Sequence, residues 1–265
     1  MSEEELYCLR VRYVETGRLR YLSHLELLRA MERTIRRSGI PYAVTQGFSP
    51  RIKAAYCPAL PVAVASDDEW FDLWVREYRP AEEYLEDLRR SAPPDLMPQQ
   101  AAYVEVHGPS LGANLTIACW EADLSVWPDA CLDAADAVDM TFDAEDVRRA
   151  VEAVRAQGQI EYLRNGKPKK VDLTEKLVGD VCVDPGESGG VHLSFTTRSS
   201  NEGALRPDVL LAEVCRQLAE SLAVRGSSAG STQDYVVSFQ RNLRTSVVRT
   251  AQYLEGKDGT WSRPI

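Results

Sequence analysis

The run Arg18-Leu-Arg-Tyr-Leu-Ser-His-Leu-Glu26 sets an imidazole beside a hydroxyl, with a phenol and two guanidinium groups close by. In that company His24, with Ser23 and Tyr21, can donate to a phosphate oxygen or move a proton during strand cleavage, and free N–H groups at a helix start attract anions. The other reading of His24 is a surface or packing residue. Arg29, Arg33, Arg36 and Arg37 follow at spacings of three and four, which is one stripe of a helix. Such a stripe suits phosphate, although cations in a last helical turn also simply complement the helix dipole. A second group, Gln46-Gly47-Phe48-Ser49-Pro50-Arg51-Ile52-Lys53, gathers a serine, two cations and an aromatic ring. Cations hold phosphate and rings stack on bases, so this mixture suits a single-stranded nucleic acid. Alternatively, Phe48 plugs the core beneath a proline turn. In a third group Arg164, Lys167, Lys169 and Lys170 have only Glu161 nearby. A basic hairpin can enter a nucleic-acid groove, but lysine-rich edges also simply prevent aggregation. His107 and His192 stand alone and are assigned to packing or solvation.

The charge is segregated. Residues 6–56 hold ten Lys or Arg against three acids, whereas residues 57–155 hold seven against 21. The whole chain of 265 residues carries 31 basic and 40 acidic groups, a formal charge of -9, which excludes a histone-like binder with a basic surface throughout. A basic N-terminal face on an acidic body can confine a polyanion to one groove, because repulsion elsewhere rejects it. Pairing of these arginines with the acidic block is the competing expectation. The six cysteines (Cys8, Cys57, Cys119, Cys131, Cys182, Cys215) include no C-x-x-C pair, so no disulfide scaffold, zinc knuckle or iron–sulfur loop is written here. They are expected mostly as small buried apolar residues. No apolar run approaches the ~20 residues of a membrane span, and the start lacks the pattern of a signal peptide, so the expectation is a cytoplasmic protein without membrane contact.

These groups need elements to hold them. Residues 6–14 read as a strand, 15–17 as a turn and 18–22 as a returning strand. Ser23 and Glu26 form a capping box, with Leu22 and Leu27 as a hydrophobic staple. The helix so begun has Leu25, Leu28, Met31 and Ile35 as its apolar face and ends at Gly39 and Pro41. Short strands around 42–45, 52–65 and 70–75, a helix over 80–90 and a strand over 100–106 complete the order β-α-β-β-α-β. After a linker at 107–112 the order repeats: a strand over 115–126, a helix over 144–157 capped by Asp143, a hairpin about Asn165-Gly166, a strand pair over 178–197, a helix from Pro207 to about Leu222, a Gly/Ser-rich loop at 226–231 and a strand over 235–239. The expected fold is α+β, with two tandem ferredoxin-like (βαββαβ) domains over 1–108 and 113–255 and a flexible tail over 256–265.

No phosphate-loop, dinucleotide-binding, zincin or nucleophile-elbow pattern is present. The stretch 18–29, continuing through Glu32-Arg33 and Arg36-Arg37, then Gln46 to Pro50 and Ala59-Leu60-Pro61, resembles the radical-SAM-associated (radical-SAM-linked) bacterial domain family of unknown function. The resemblance is specific over roughly the first 75 residues and weaker at Val171-Asp172-Leu173 and Leu205-Arg206-Pro207. It implies a radical SAM protein as partner. This chain lacks C-x-x-x-C-x-x-C and cannot ligate the radical SAM cluster itself, so no cofactor is expected of it. Two positions depart from the family pattern: Ala63 stands where a glycine is usual, and Tyr21 where a phenylalanine is. The tandem order is also similar, by topology alone, to endoribonucleases that process CRISPR repeat RNA. The expected function is a non-catalytic accessory protein that binds RNA or presents substrate. Arg18, Arg20, His24, Arg29, Arg33, Arg37, Ser49, Arg51 and Lys53 would hold phosphate, and Tyr21 and Phe48 would stack on bases. The alternatives are a metal-independent ribonuclease with His24 as general acid or base, and a protein-interaction module without nucleic acid.

Overall fold

The computed structural model describes residues 5–108, 110–127, 141–186, 189–200, 203–225 and 232–265. Pro109 of the expected linker, Cys131 and the 226–231 loop lie outside them. The chain runs β1 (Tyr7–Glu15), α1 (His24–Ser38), β2 (Ala54–Tyr56), β3 (Ala65–Val75), α2 (Ala81–Ser91), β4 (Pro98–Val104), α3 (Leu111–Asn114) and β5 (Leu115–Val126). It continues through α4 (Ala144–Ala156), β6 (Gln159–Arg164), β7 (Lys167–Asp172), α5 (Leu173–Lys176), β8 (Leu177–Pro185), β9 (Val191–Ser200) and β10 (Gly203–Ala204). The last elements are α6 (Pro207–Arg225), α7 (Thr232–Asn242), β11 (Leu243–Glu255) and β12 (Trp261–Ser262). The protein is α+β, and among the described residues no helix is long and apolar enough to cross a membrane. Two compact units divide it: unit 1 holds the residues up to Ala118 together with Val248–Ile265, and unit 2 holds Cys119–Val247. These limits differ from the 1–108 and 113–255 expected, because β11 leaves unit 2 halfway along its length.

In unit 1 the neighbours run β4-β1-β3-β2, all antiparallel, and β11 joins the start of β3 in parallel through Val248 and Arg249. Strand alternation puts Leu9, Val11, Phe71 and Leu73 on one face, where Leu27, Met31 and Ile35 of α1 and Tyr84 and Leu88 of α2 bury them. Each such side chain contributes roughly 1.5–3 kcal/mol by leaving water. The opposite face carries Trp70, which packs with Cys57, Leu111 and Leu115 and is covered by Leu254 and Ile265.

Three expectations are corrected here. Residues 18–22 are no strand: Leu19–Tyr21 form a 3-10 turn. Both edges of β1 are already paired, so a returning strand has no partner. Gly17, at φ +52°, turns the chain instead so that Thr16 N–H donates to the Asp95 carbonyl (2.9 Å) and Arg18 N–H to its carboxylate (2.9 Å). The tail over 256–265 is tied down: β12 pairs with β11, Arg263 donates to both Asp68 oxygens (2.9 and 2.6 Å), and the Pro264 carbonyl accepts from Arg10 (3.2 Å). The inward face of α1 is Leu27, Ala30, Met31, Thr34 and Ile35, leaving Leu25 65% exposed.

In unit 2 the neighbours run β8-β9-β5-β11, with β10 beside β9. Within the unit Ser246 of β11 donates to Asp123 of β5 (3.1 Å), and next to it Trp127 N–H, just past β5, donates to the carbonyl of Asn242 at the end of α7 (3.0 Å). α4 opens as expected, the Asp143 carboxylate accepting from Asp146 N–H at 2.9 Å. The hairpin β6-β7 turns through Asn165 and Gly166, both at positive φ, and forms a sheet of its own. Residues 235–239, expected as a strand, lie in α7. Tyr235 and Phe239 are four apart and stack at 6.2 Å, so this apolar pattern has a helical period.

Candidate nucleic-acid interface

The start of α1 is closed by its own sequence. Ser23 donates to one Glu26 carboxylate oxygen from its N–H (2.9 Å) and its hydroxyl (2.7 Å), and these bonds hold that carboxyl below its ordinary value. A carboxylate therefore already stands at the positive end of the helix, where the residue pattern suggested an open anion site. Ser23 and His24 are both exposed, and His24 has no hydrogen-bond partner among the described residues to orient its ring.

Around this start the cations fall into two sets. Arg20 lies over the Tyr21 ring (5.0 Å to the centroid) and donates to its hydroxyl (2.9 Å). The Arg20 carbonyl accepts from Ala63 N–H (2.8 Å), which fixes the 61–64 turn against the 3-10 turn. Arg29, Arg33 and Arg37 stand one helical turn apart on the exposed side of α1. Among the described residues the guanidinium groups of Arg18, Arg33, Arg37 and Arg51 meet no carboxylate, whereas Arg29 stands near Glu26 and helps to hold that carboxyl low. Elsewhere in the basic block, pairing does occur. Arg10 is buried and bidentate on Asp72 (2.7 and 2.8 Å), and Arg36 meets Glu32 at 3.1 Å.

The 46–51 loop is pinched at its base, where Thr45 N–H donates to the Arg51 carbonyl (2.8 Å) and Arg51 N–H to the Thr45 hydroxyl (3.1 Å). Phe48 at its tip is fully exposed and plugs nothing; Ser49 and Arg51 are exposed with it. Lys53 is separated from them. Its ammonium lies over the Trp74 ring (5.1 Å), and Trp74 alternates with Leu73, so Lys53 sits on the face of the sheet away from α1.

A buried charge cluster in unit 1 escaped the sequence reading. Glu69 accepts from Arg249 and from the Cys57 thiol (3.0 Å), and Asp68 accepts from Arg263 and from Gln252 N–H (2.5 Å). Glu15 pairs across from Ser66, which also faces Arg249 across the sheet. Burial, with Glu69 nearby, pushes the Glu15 carboxyl up to about 8 against the pull of Arg249, and its Oε2 has no partner. Arg249 lies 180 residues from Glu69 in sequence and Arg263 lies 195 from Asp68, beyond the reach of any local pattern. Cys8, Cys57 and Cys215 are buried, whereas Cys182 is exposed and Cys119 lies between. Among the described residues no three His, Cys, Asp or Glu side chains gather as metal ligands.

In unit 2, Tyr162 faces Lys169 and Arg164 faces Lys167 across the hairpin, on the side where Ile160 and Val171 are buried at its base. A groove of about 340 Å³ lies between β6, α6 and Gln240 of α7. His192 bonds Asp123 through Nδ1 (2.9 Å), and His107 is exposed.

Taken together these features define a two-unit α+β protein whose first helix displays unpaired arginines. The chain belongs to the family described as uncharacterized protein conserved in bacteria (DUF2344), whose model matches residues 8–207. No curated protein matches it. Two solved structures are similar at low level. One is a provisionally named monooxygenase from Fusobacterium nucleatum subsp. nucleatum, with 12% identity, all of both chains covered and a TM-score of 0.22. The other is a provisionally named glycine cleavage system transcriptional repressor, with 9% identity, 91% of this chain and 96% of the other covered and a TM-score of 0.22.

Proposed function

We propose that this protein is a non-catalytic accessory protein that binds RNA, or presents a substrate held by RNA-like phosphates, for a separate radical SAM enzyme in the cytoplasm. The observation that carries the reading is the set Arg18, Arg33, Arg37 and Arg51, exposed and with guanidinium groups that meet no carboxylate among the described residues, together with a fully exposed Phe48. Uncompensated guanidinium groups bind phosphate by releasing counterions, and an exposed ring offers a stacking surface to an unpaired base. Arg20 and Tyr21 add a cation and a ring to the set; Lys53 is turned to the other face of the sheet. The radical SAM partner is implied by the resemblance of residues 18–29, 46–50 and 59–61, not by any feature of the fold. We read both units as ferredoxin-like, a view supported by the matching neighbour orders β4-β1-β3-β2 and β11-β5-β9-β8.

The test is RNA binding measured across a salt series. Affinity is expected to fall steeply with salt, and Arg33→Ala with Arg37→Ala to weaken binding across sequences and reduce the salt slope by about 2. Binding that is absent, or indifferent to salt, rejects the RNA reading; co-purification of a radical SAM protein without nucleic acid then favours a protein-interaction module.

A further inference from the structure

We propose that the groove of unit 2 between β6 and α6 binds a single nucleotide, its phosphate on Arg164 and its base against Tyr162. All its lining residues belong to unit 2, and the proposal does not rest on the arginines of α1. The volume of about 340 Å³ lies at the small end of the ~300–1,000 Å³ usual for small-molecule sites.

Charge decides the class of ligand. Every carboxylate lining the groove already has a cation: Glu161 meets Lys170 (2.5 Å), Asp208 is held bidentate by Arg206 (3.0 and 2.9 Å), and Glu213 by Arg216 (3.0 and 2.5 Å). Arg164 is the lining cation that has no carboxylate partner among the described residues. Lys167, directly across from it on β7, is likewise exposed, so the hairpin tip carries a second positive charge next to the groove's lining. A planar guanidinium in that setting favours a phosphate oxygen pair. Two residues back on the same strand face, the half-buried Tyr162 ring lines the groove, as do Val209 and Ala212 of α6, so an aromatic and an apolar surface lie within reach of the charge. The Gln240 amide at the groove edge both donates and accepts, as the edge of a base requires. An anion without a ring would leave the aromatic and apolar surface uncovered, and a neutral ring would leave Arg164 unmet.

The nucleotide can arrive free or as one unit of an RNA chain, and both arms are measurable. The full chain is titrated with adenosine and uridine monophosphate, with inorganic phosphate, and with a single-stranded oligouridine, following the phosphorus resonance of each ligand. Saturable binding of a monophosphate or of the oligonucleotide is expected. Arg164→Ala should raise its dissociation constant about tenfold and Arg164→Lys less, because only a guanidinium is bidentate. Arg33→Ala with Arg37→Ala should leave the monophosphate constant unchanged, which separates this site from the α1 surface. Saturation by the oligonucleotide alone, measured with Arg33→Ala and Arg37→Ala in place and lost when Arg164→Ala is added, assigns the nucleotide to a polymer. Inorganic phosphate bound as tightly as the nucleotides overturns the proposal, as does binding that Arg164→Ala leaves intact or the absence of saturation by every ligand. Arg164 is exposed at a hairpin tip, so an unchanged melting temperature confirms that the variant is folded.

Discussion

Ala63 adopts φ +71°, a left-handed conformation that costs a residue with a Cβ about 1–2 kcal/mol. Its N–H bond to Arg20 needs only the backbone, so Ala63→Gly keeps the contact. Relief of strain, less the extra freedom glycine gives the unfolded chain, should stabilise the protein by about 0.5 kcal/mol, read as a higher urea midpoint at unchanged slope. Glu15 gives a prediction of opposite origin. Its folded carboxyl titrates at about 8 and an ordinary one at 4.5, so between those values the unfolded chain ionises while the folded one stays protonated. Stability contributed at this site is therefore full below the lower value and falls as pH rises toward the upper one. Glu15→Gln should flatten that decline, narrowing or reversing any deficit at about pH 8 relative to about pH 5 in urea titrations at the two values. Residue types were informative where the context is local, as for Ser23 and Glu26. They were silent where a neighbour decides: Lys53 reads as one of the loop cations until Trp74 is seen beneath it.

At the scale of elements, β11 is held to β3 by a buried ion pair rather than by apolar contact alone. Arg249→Ala would leave Glu69 ionised or protonated in a dry setting, beside Cys57 and near Glu15. The expected cost is about 3–5 kcal/mol in equilibrium unfolding, with Arg249→Lys recovering part of it. Most elements were legible because their signals are local: the capping boxes of α1 and α4, the Asn165-Gly166 turn and Pro207 at the head of α6. Two misreadings have different causes. Alternation of large and charged residues over 18–22 looks like a strand, yet both edges of β1 are taken, whereas the apolar run over 235–239 repeats every four residues, a helical period that a five-residue window hides. The face of α1 was shifted because Ala30 and Thr34, which do pack inward, are small or polar and do not stand out as core.

For the whole molecule, block charge proved a partial guide. Ten cations in residues 6–56 reduce to a smaller exposed set once Arg10 is paired inside and Lys53 is on the far face. The steep salt dependence expected of RNA binding belongs to that remaining set, and to the acidic groups elsewhere that repel a polyanion. The two-unit division was visible in the repeated order of elements, but the return of residues 248–265 to unit 1 was not, since nothing local in β11 marks which sheet receives it. That return has a consequence for biosynthesis. A ribosome completes Cys119–Val247 before it releases the segment that seals Trp70, Asp68 and Glu69, so the unit begun first is finished last, and nascent chains carry an unsealed sheet face that chaperones could meet until translation has passed Arg263.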